Sequence, residues 1–373
     1  MEKLSLTDIR KKNYSDVYHL IYREERISKQ QIATMLQLSL PTTTQHLTTL
    51  LEEGLIEKAG QLSSNIGRKA VAYTANRTAQ VAIGVEILAE TTTSVILDLY
   101  GSVIHKKSIP LSFTQEDGYF EALVASILNQ LKEANVAAEQ VMGAGFGIQG
   151  LVTEDGCEVI YGKILDCTGL NIASLEKRLP FPCRFIHDSE CAAELELWYR
   201  PELTDALYLS LGPHLGGAVI SNGSIQVGRT GRTGTFEHMT LVEGGKRCYC
   251  GKNGCMECYC SASALLKKGE TPEEFFTALR QNSASHSARW IEYLGWLALA
   301  INNLHMVLDS TVVLGGYIAP YLTEEDLAKL FAFIQLRSAF PESESFLQLG
   351  VQENDVVAIG AAIPFIREFM RNI

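Results

Sequence analysis

The sequence predicts a mixed α/β protein in which a small winged helical head precedes a larger body of two similar α/β lobes. Three observations predict this architecture. The first 77 residues hold short amphipathic segments that begin with helix-capping residues and end in a β-hairpin pattern. From Val81 onward, strand-rich meanders are followed by helices, and this order occurs twice. A chain of 373 residues is also too long for one ordinary domain.

The head is predicted to span residues 1–77 and the body residues 78–373, because Asn76 to Gln80 is the only obvious joint. In the body we expect an amphipathic helix over residues 119–134, a long helix near 286–308 and a last helix near 356–371. Two lobes of this kind are expected to enclose a cleft.

The chain is acidic overall, but its head is basic. Its 32 Lys and Arg residues and 43 Asp and Glu residues give a net charge of −11, which argues against non-specific coating of nucleic acid or membrane. Residues 1–77 nevertheless hold more basic than acidic side chains. No stretch approaches the roughly 20 apolar residues of a membrane span, and the N-terminus has no apolar signal core. We therefore expect a cytoplasmic protein, without a membrane partner, whose head alone meets polyanions.

The head has the pattern of a helix-turn-helix. Ser28 and Ser39 are each placed to cap a helix, and Pro41 fits the first turn of the second one. Four residues are predicted to form a polar outer face suited to base edges: Thr42, Gln45, His46 and Thr49. The loop SSNIGRKA is predicted to be a wing, with Arg68 and Lys69 reaching phosphates or a minor groove. We predict DNA binding; a helical docking module has the same pattern and is the alternative.

The glycine and cysteine motifs, taken in order, resemble those of the ROK family of repressors, open reading frames and sugar kinases. The matching segments are GAGFGIQGLV (143–152), IHDSECAAELELW (186–198), LYLSLGPHLGGAVISNG (207–223), VVLGG (312–316) and the cysteine cluster CYCGKNGCMECYCS (248–261). The resemblance covers most of residues 80–365. It implies an actin-like, ribonuclease-H-like ATPase fold, and the repressor branch of the family carries a winged helix ahead of that fold.

The cysteine cluster is the most specific part of the resemblance. The family has a His ten residues before a Cys-x-Cys-Gly-x-x-Gly-Cys-x-Glu run, and the residues in those places are His238, Cys248, Cys250 and Cys255. The resemblance implies that they bind zinc. Three thiolates and one imidazole form a closed tetrahedral set, which is typical of a structural site. Free thiols or another metal are the alternatives, and Cys258 and Cys260 are in excess of four ligands.

The resemblance also implies a sugar site beside the metal. Asp188 corresponds to the catalytic base of the sugar kinases, and Gly150 belongs to the glycine-rich turn of the site. His238 and Glu257 would contact the sugar. Asp188 has a second interpretation, because it also stands where a helix N-cap belongs.

Three departures from the kinase pattern predict that the chain is not an enzyme. The stretch IGVEILAETTT keeps only Gly84 of the first phosphate loop, Pro213 and His214 occupy the second, and Tyr317 replaces a glycine of the adenosine loop. A polyphosphate cradle needs close backbone approach and free N–H groups. We interpret the retained glycines as tight turns of the fold.

The sugar side departs from the family pattern as well. Thr235 replaces a sugar-contacting Glu, and Glu237 stands where Gly is usual, which we interpret as a solvated loop charge. Lys163 and Cys167 take the places of the usual Asn and Trp. The ligand is then an unusual sugar, a sugar phosphate or another polar metabolite, or the site is lost.

Together these patterns predict a sugar-responsive transcriptional regulator, first of all a repressor of carbohydrate-utilisation genes. It would bind operator DNA as a homodimer or homotetramer and a sugar or sugar derivative between the lobes. An active ATP-dependent sugar kinase with an appended head and a ligand-independent regulator are the alternatives.

Overall fold

Three helices and a three-stranded antiparallel sheet form the head. The computed structural model describes residues 5–62, 70–340 and 342–373 of the chain. The head consists of α1 (Leu6–Glu24), α2 (Lys29–Met35), α3 (Leu40–Glu52), β1 (Ile27–Ser28), β2 (Ile56–Leu62) and β3 (Ala70–Ala75), with strand order β1-β3-β2. The side chains of Ser28 and Ser39 accept hydrogen bonds from the backbone N–H groups of Gln31 and Thr42. Both predicted helix caps are therefore confirmed, and the helix-turn-helix consists of α2, α3 and the turn between these two helices.

The first lobe of the body is a five-stranded mixed sheet with helices on its faces. Its strands, in spatial order, are β10 (Cys183–His187), β7 (Val141–Ile148), β4 (Val81–Ile87), β5 (Thr91–Leu97) and β6 (Val103–Pro110). A small hairpin of β8 (Leu151–Val152) and β9 (Val159–Tyr161) follows β7. The helices of this lobe are α4 (Asp117–Glu133), α5 (Ala173–Glu176) and α6 (Asp188–Tyr199). The predicted helix at 119–134 is α4, which packs on β4 and β7 through Phe120 and Ile127.

The second lobe repeats the plan of a five-stranded sheet covered by helices. Its strands, in spatial order, are β13 (Ser224–Ile225), β12 (Leu215–Ser221), β11 (Ala206–Leu211), β14 (Thr311–Gly315) and β15 (Leu347–Leu349). Its helices are α7 (Glu257–Cys260), α8 (Ala262–Leu265), α9 (Pro272–Arg280), α10 (Ala284–His305) and α11 (Glu324–Gln335). The predicted long helix near 286–308 is α10, so the two α/β lobes are confirmed.

The last helix, α12 (Val356–Asn372), joins the first lobe to the head. It packs along α6, β4 and β7, and its C-terminal residues Phe369, Met370 and Ile373 pack against the apolar core of the head. Gly84 lies within β4, against the backbone of α12. The interpretation of the retained glycines as tight turns is therefore wrong for Gly84, whose place is needed for this close helix–strand approach.

A second contact between head and body is aromatic. The rings of Tyr22 in α1 and Tyr100 in the β5–β6 turn stack with centroids 4.2 Å apart. The Tyr22 hydroxyl donates to the Leu99 carbonyl at 2.8 Å, and the Tyr100 hydroxyl donates to the Tyr22 carbonyl at 2.9 Å. Within the described residues, no helix combines the length and apolar character that crossing a membrane requires.

Candidate functional site

The structure brings the four predicted metal ligands together. The donor atoms of His238, Cys248, Cys250 and Cys255 all lie within 4.8 Å of one another. The Nδ1 atom of His238 is 3.9 Å from the Cys248 sulfur, and the sulfurs of Cys250 and Cys255 are 3.7 Å apart. The family resemblance therefore pointed to the right four residues, which come from a 3₁₀ turn, the loop after it and the segment just before α7.

The donor set fits a tetrahedral zinc ion. With Zn–S bonds of about 2.3 Å, tetrahedral geometry separates two sulfur ligands by about 3.8 Å, close to the Cys250–Cys255 distance. Burial raises the pKa of the Cys248 and Cys255 thiols, so a buried cluster of thiolates needs a cation to hold it together. The backbone at Gly254 has φ +81°, and a side chain there would overlap Val242. Glycine at this position lets the loop close around the donors.

A small cavity lies between the lobes beside this cluster. Its lining includes Gly150, Lys163, Asp188, Glu237 and His238, and its volume is about 40 Å³. Ligand pockets usually measure roughly 300–1,000 Å³. Little free space is therefore left between the lobes at this point.

Asp188 faces the cavity from the first turn of α6. The N-cap of α6 is His187, whose side chain makes no capping bond, so Asp188 is not the cap. The Oδ1 atom of Asp188 accepts a hydrogen bond from the Ser189 N–H at 2.7 Å and lies 3.3 Å from Nε2 of His187. The carboxylate is thereby held at the cavity wall, where it can accept a hydrogen bond from a sugar hydroxyl. His187 lines the same cavity and was missed by the sequence analysis.

Glu237 is buried, so its interpretation as a solvated loop charge is wrong. Only 5% of the residue is exposed, and it lines the cavity next to His238. Burial raises the pKa of Glu237 to about 7, against the opposing effect of the nearby His187, and Asp188 and Glu257 add to the rise. Burial also lowers the pKa of His238, which favours the neutral imidazole that a metal requires. The signal available in the sequence was a carboxylate directly before a metal-binding histidine.

The carboxylate of Glu257 is hydrogen-bonded to the second phosphate loop. Its Oε1 atom lies 2.8 Å from Nδ1 of His214, and its Oε2 atom accepts a hydrogen bond from the Leu215 N–H at 2.7 Å. Glu257 is not among the residues that line the cavity, whereas His214 is. His214 thus lies between Glu257 and the cavity, and the sugar contact of Glu257 stays a prediction.

The other positions that depart from the family's sugar-site pattern do not all lie at the cavity. Lys163 lines the cavity and its side chain is exposed. Cys167 is fully buried in the core of the first lobe. The Thr235 hydroxyl donates to the Arg232 carbonyl at 2.9 Å, and Thr235 is not part of the cavity lining. Of the four altered sugar-side positions 163, 167, 235 and 237, positions 163 and 237 face the cavity.

The outer face of α3 differs in one residue from the prediction. Gln45 is exposed, and Thr42 and Thr49 are partly exposed. His46 is only 4% exposed, and its ring meets the ring of Tyr14 edge to face. His46 therefore packs against α1 and does not extend the polar face, which Thr44 and Thr48 complete. The predicted wing residues Arg68 and Lys69 lie outside the described residues.

Comparison with known proteins agrees with this two-part architecture. Residues 82–367 match the model of the ROK family, and residues 15–57 match a winged helix-turn-helix DNA-binding model. The DNA-binding transcriptional dual regulator NagC of Escherichia coli is 27% identical over 70% of this chain and 65% of its own length. The xylose repressor of Bacillus subtilis is 23% identical over 74% of this chain and 72% of its own length. The chain thus spans about two thirds of these curated relatives.

Solved structures share the fold. The crystal structure of a ROK family transcriptional regulator, a homologue of the E. coli MLC protein, superposes with a TM-score of 0.77 at 20% identity, covering 98% of this chain and 97% of that one. A ROK glucokinase from Streptomyces griseus, in complex with glucose and AMPPNP, gives a TM-score of 0.66 at 21% identity over 76% of this chain and 98% of that one. With a family model matched over most of its length, this chain belongs to the ROK family.

Proposed function

We propose that this protein is a cytoplasmic transcriptional repressor of carbohydrate-utilisation genes, controlled by a sugar that binds between the lobes. The observation that carries the proposal is that one chain joins a winged helix-turn-helix, with a polar outer face on α3, to a ROK body with a small interlobe cavity. Relatives named as N-acetylglucosamine repressor and as xylose repressor support this assignment. The head of residues 1–77 binds operator DNA, and the body of residues 78–373 binds the effector.

Two helices, α6 and α12, transmit the effect of ligand binding from the cavity to the head. Helix α6 begins at Asp188 on the cavity wall and packs along α12. The end of α12 packs into the head beside Tyr18, whose ring lies edge to face with Phe369. When a sugar opens the lobes, α6 moves relative to the second lobe and α12 changes the position of the head. In a homodimer this alters the spacing of two recognition helices, which must match half-sites about 34 Å apart.

A structural zinc ion holds the sugar-binding loop in place. The four donors position His238 through Nδ1, while its Nε2 side is turned toward Glu237, 3.9 Å away. A second partner for a ligating imidazole fixes the orientation of the ring. The zinc therefore acts on the effector site by rigidity and takes no part in a reaction, since four protein ligands leave no open position.

The phosphate side of the cleft supports a role without phosphoryl transfer. Pro213 supplies no N–H group to the second phosphate loop, and His214 turns into the loop and contacts Glu257. A nucleotide would have to displace that interaction. We therefore assign the nucleotide side of the fold a structural role.

Thermal-shift scans with a sugar panel, with and without Mg-ATP, test this proposal. A sugar-responsive regulator is stabilised by one sugar class alone, and Mg-ATP adds nothing. Additional stabilisation by Mg-ATP, together with phosphorylation of the sugar, would establish the kinase instead. An Asp188→Asn variant should lose the sugar-dependent shift while retaining operator affinity, and Asp155→Asn, an exposed carboxylate away from the cavity, is the matched control.

A further inference from the structure

We propose that the exposed face of α3 recognises A·T base pairs, with Gln45 on adenine and the methyl groups of Thr44 and Thr48 on thymine. This inference rests on the proposed function, because it names the kind of DNA sequence that the head binds. The exposed face carries some chemical groups and lacks others, and both facts limit the bases that it can recognise.

The exposed face of α3 has no cationic side chain. Helix α3 contains neither Lys nor Arg over its whole length. The exposed residues along it are Leu40, Pro41, Thr44, Gln45, Thr48 and Glu52. The second helix of a helix-turn-helix lies in the major groove, where the commonest specific contact is an Arg or Lys that donates to the two acceptors of guanine. Helix α3 cannot make that contact.

The threonines of this face use their hydroxyl hydrogens within the helix. The Thr44 hydroxyl donates to the Leu40 carbonyl at 2.7 Å, and the Thr48 hydroxyl donates to the Thr44 carbonyl at 2.9 Å. The hydroxyl of Thr49 donates to the Gln45 carbonyl in the same way, at 3.2 Å. Such bonds fix the rotamer of the side chain. Thr44 and Thr48 therefore offer a base a methyl group and an acceptor oxygen, but no donor.

Helix stability does not account for this composition. Five of the thirteen residues of α3 are Thr, although Thr forms helices less readily than Ala, Lys, Glu or Gln. At exposed positions, where packing does not decide the choice, these better helix formers would stabilise α3 more. Contact with a partner is therefore the better explanation for Thr44 and Thr48.

Thymine is the base that matches the exposed methyl groups. Its C5-methyl group is the apolar group that base pairs present in the major groove. Leu40, which is 50% exposed, adds apolar surface at the N-terminal end of α3, the end of a recognition helix that contacts base edges. The remaining Thr oxygen can accept from the amino group of adenine or of cytosine, but a G·C pair lacks the methyl group. Both properties of the side chain are satisfied together by an A·T pair.

Gln45 distinguishes adenine from guanine. Its exposed side chain carries an acceptor oxygen and a donor NH₂ group. Adenine presents the complementary pair, the N7 acceptor and the N6 amino donor. Guanine presents two acceptors, so one of them would face the Gln oxygen without a hydrogen between them. Gln45 therefore favours adenine, in agreement with the thymine contacts of its neighbours on the face.

Selection from a pool of randomised duplex DNA by the zinc-loaded full chain, followed by fluorescence anisotropy on the selected duplex, tests this inference. We expect half-sites with A·T pairs facing α3. The thymines are then replaced one at a time by uracil, which removes the C5-methyl group and leaves the minor groove unchanged. At the pairs that face α3, each replacement should weaken binding about three- to fivefold. Recognition of A·T pairs by the wing in the minor groove would not respond to uracil.

Paired substitutions separate the methyl group from the hydroxyl group. The double variant Thr44→Ser, Thr48→Ser loses both methyl groups and should bind thymine and uracil duplexes equally. The double variant Thr44→Val, Thr48→Val keeps them and should keep the difference. Gln45→Arg should shift the preference at one pair of each half-site from adenine to guanine, by about tenfold. The control is Thr277→Ser, at an exposed position of α9 in the body, which should change none of these preferences.

The outcomes separate this inference from the proposed function. If G·C pairs are selected opposite α3, if thymine and uracil duplexes bind equally well, or if the Val variant loses the thymine preference, the A·T recognition is overturned while the repressor stands. Selection of A·T half-sites that no sugar releases would support the recognition and reject control by a sugar. Failure to select any duplex would overturn both proposals.

Discussion

Gly360 of α12 lies directly against the backbone of Cys191 in α6. A Cβ atom at position 360 would overlap the Cys191 carbonyl group. Because Cys191 follows Asp188 by one helical turn, this contact ties the helix at the cavity wall to the helix that ends in the head. Two backbones in such close contact cannot shift independently, so a displacement of α6 is transmitted to α12.

Gly360→Ala should weaken both stability and communication. The added methyl group has to push α12 away from α6, and overpacking of this kind costs about 1–3 kcal/mol. We expect urea denaturation to show that loss and sugar-induced DNA release to be reduced. Gly295→Ala is the control, since a Cβ in that helix meets only the far end of Arg337 at 3.7 Å. Gly295→Ala should therefore raise the free energy of unfolding by about 0.5–1 kcal/mol.

Tyr100→Ala should uncouple the head from the body. The substitution removes the stacked pair with Tyr22 and the hydroxyl bond to the Tyr22 carbonyl. An aromatic pair and one hydrogen bond contribute about 2 kcal/mol together. We expect the sugar-induced change in operator affinity, measured by fluorescence anisotropy, to fall about tenfold while sugar affinity stays within twofold. A normal sugar response in Tyr100→Ala would show that α12 alone couples the body to the head. The control is Tyr199→Ala, at a tyrosine that is 48% exposed, which should keep the normal response.

Cys250→Ser should remove the metal. The wild-type chain is expected to contain one zinc ion by plasma mass spectrometry, and the variant less than a tenth of that. Loss of a ligand present at a hundredfold excess over its Kd lowers stability by about 2.7 kcal/mol, so the variant and the chelator-treated wild type should both melt earlier. Cys157→Ser, at an exposed cysteine outside the cluster, should change neither the zinc content nor the melting temperature. A variant that keeps full zinc content would contradict the assigned ligand set.

Stability should fall as pH rises from about 4.5 to 7, in part because of Glu86. Burial, with Asp188 and Asp355 nearby, raises the pKa of Glu86 from 4.5 to about 7. The folded chain therefore holds a proton that the unfolded chain has released in this window, and folding is favoured at the low end. Glu86→Gln should flatten the unfolding profile by about 2 kcal/mol across the window. Glu121→Gln, on the exposed face of α4, should leave the slope unchanged.

The fold and the metal cluster were predictable because their signals are local. Ser28 and Ser39 cap helices through neighbours three residues away. The cysteine cluster and His238 were identified through a family motif that lies within one short segment of the chain. These features depend on short-range geometry that a sequence states directly.

The errors concern contacts between distant segments. His46 belongs to a polar face by helical spacing, but Tyr14, over thirty residues earlier, covers it. The sequence around Glu237 is typical of an exposed loop, but contacts with β12 and with the opposite lobe bury this residue. Glu257 is held by His214 from another element. Burial of this kind is set by tertiary packing, which spacing and composition do not encode.

The most direct test of the repressor is recovery of sheared genomic DNA on the purified, zinc-loaded protein, sequenced with and without a panel of sugars. The account predicts enrichment of a palindromic site beside carbohydrate-utilisation genes and its release by one sugar class. If a DNA site is enriched but no sugar releases it, the proposal that a sugar controls DNA binding is contradicted. Failure to enrich any sequence at moderate salt would contradict the DNA-binding role of the head.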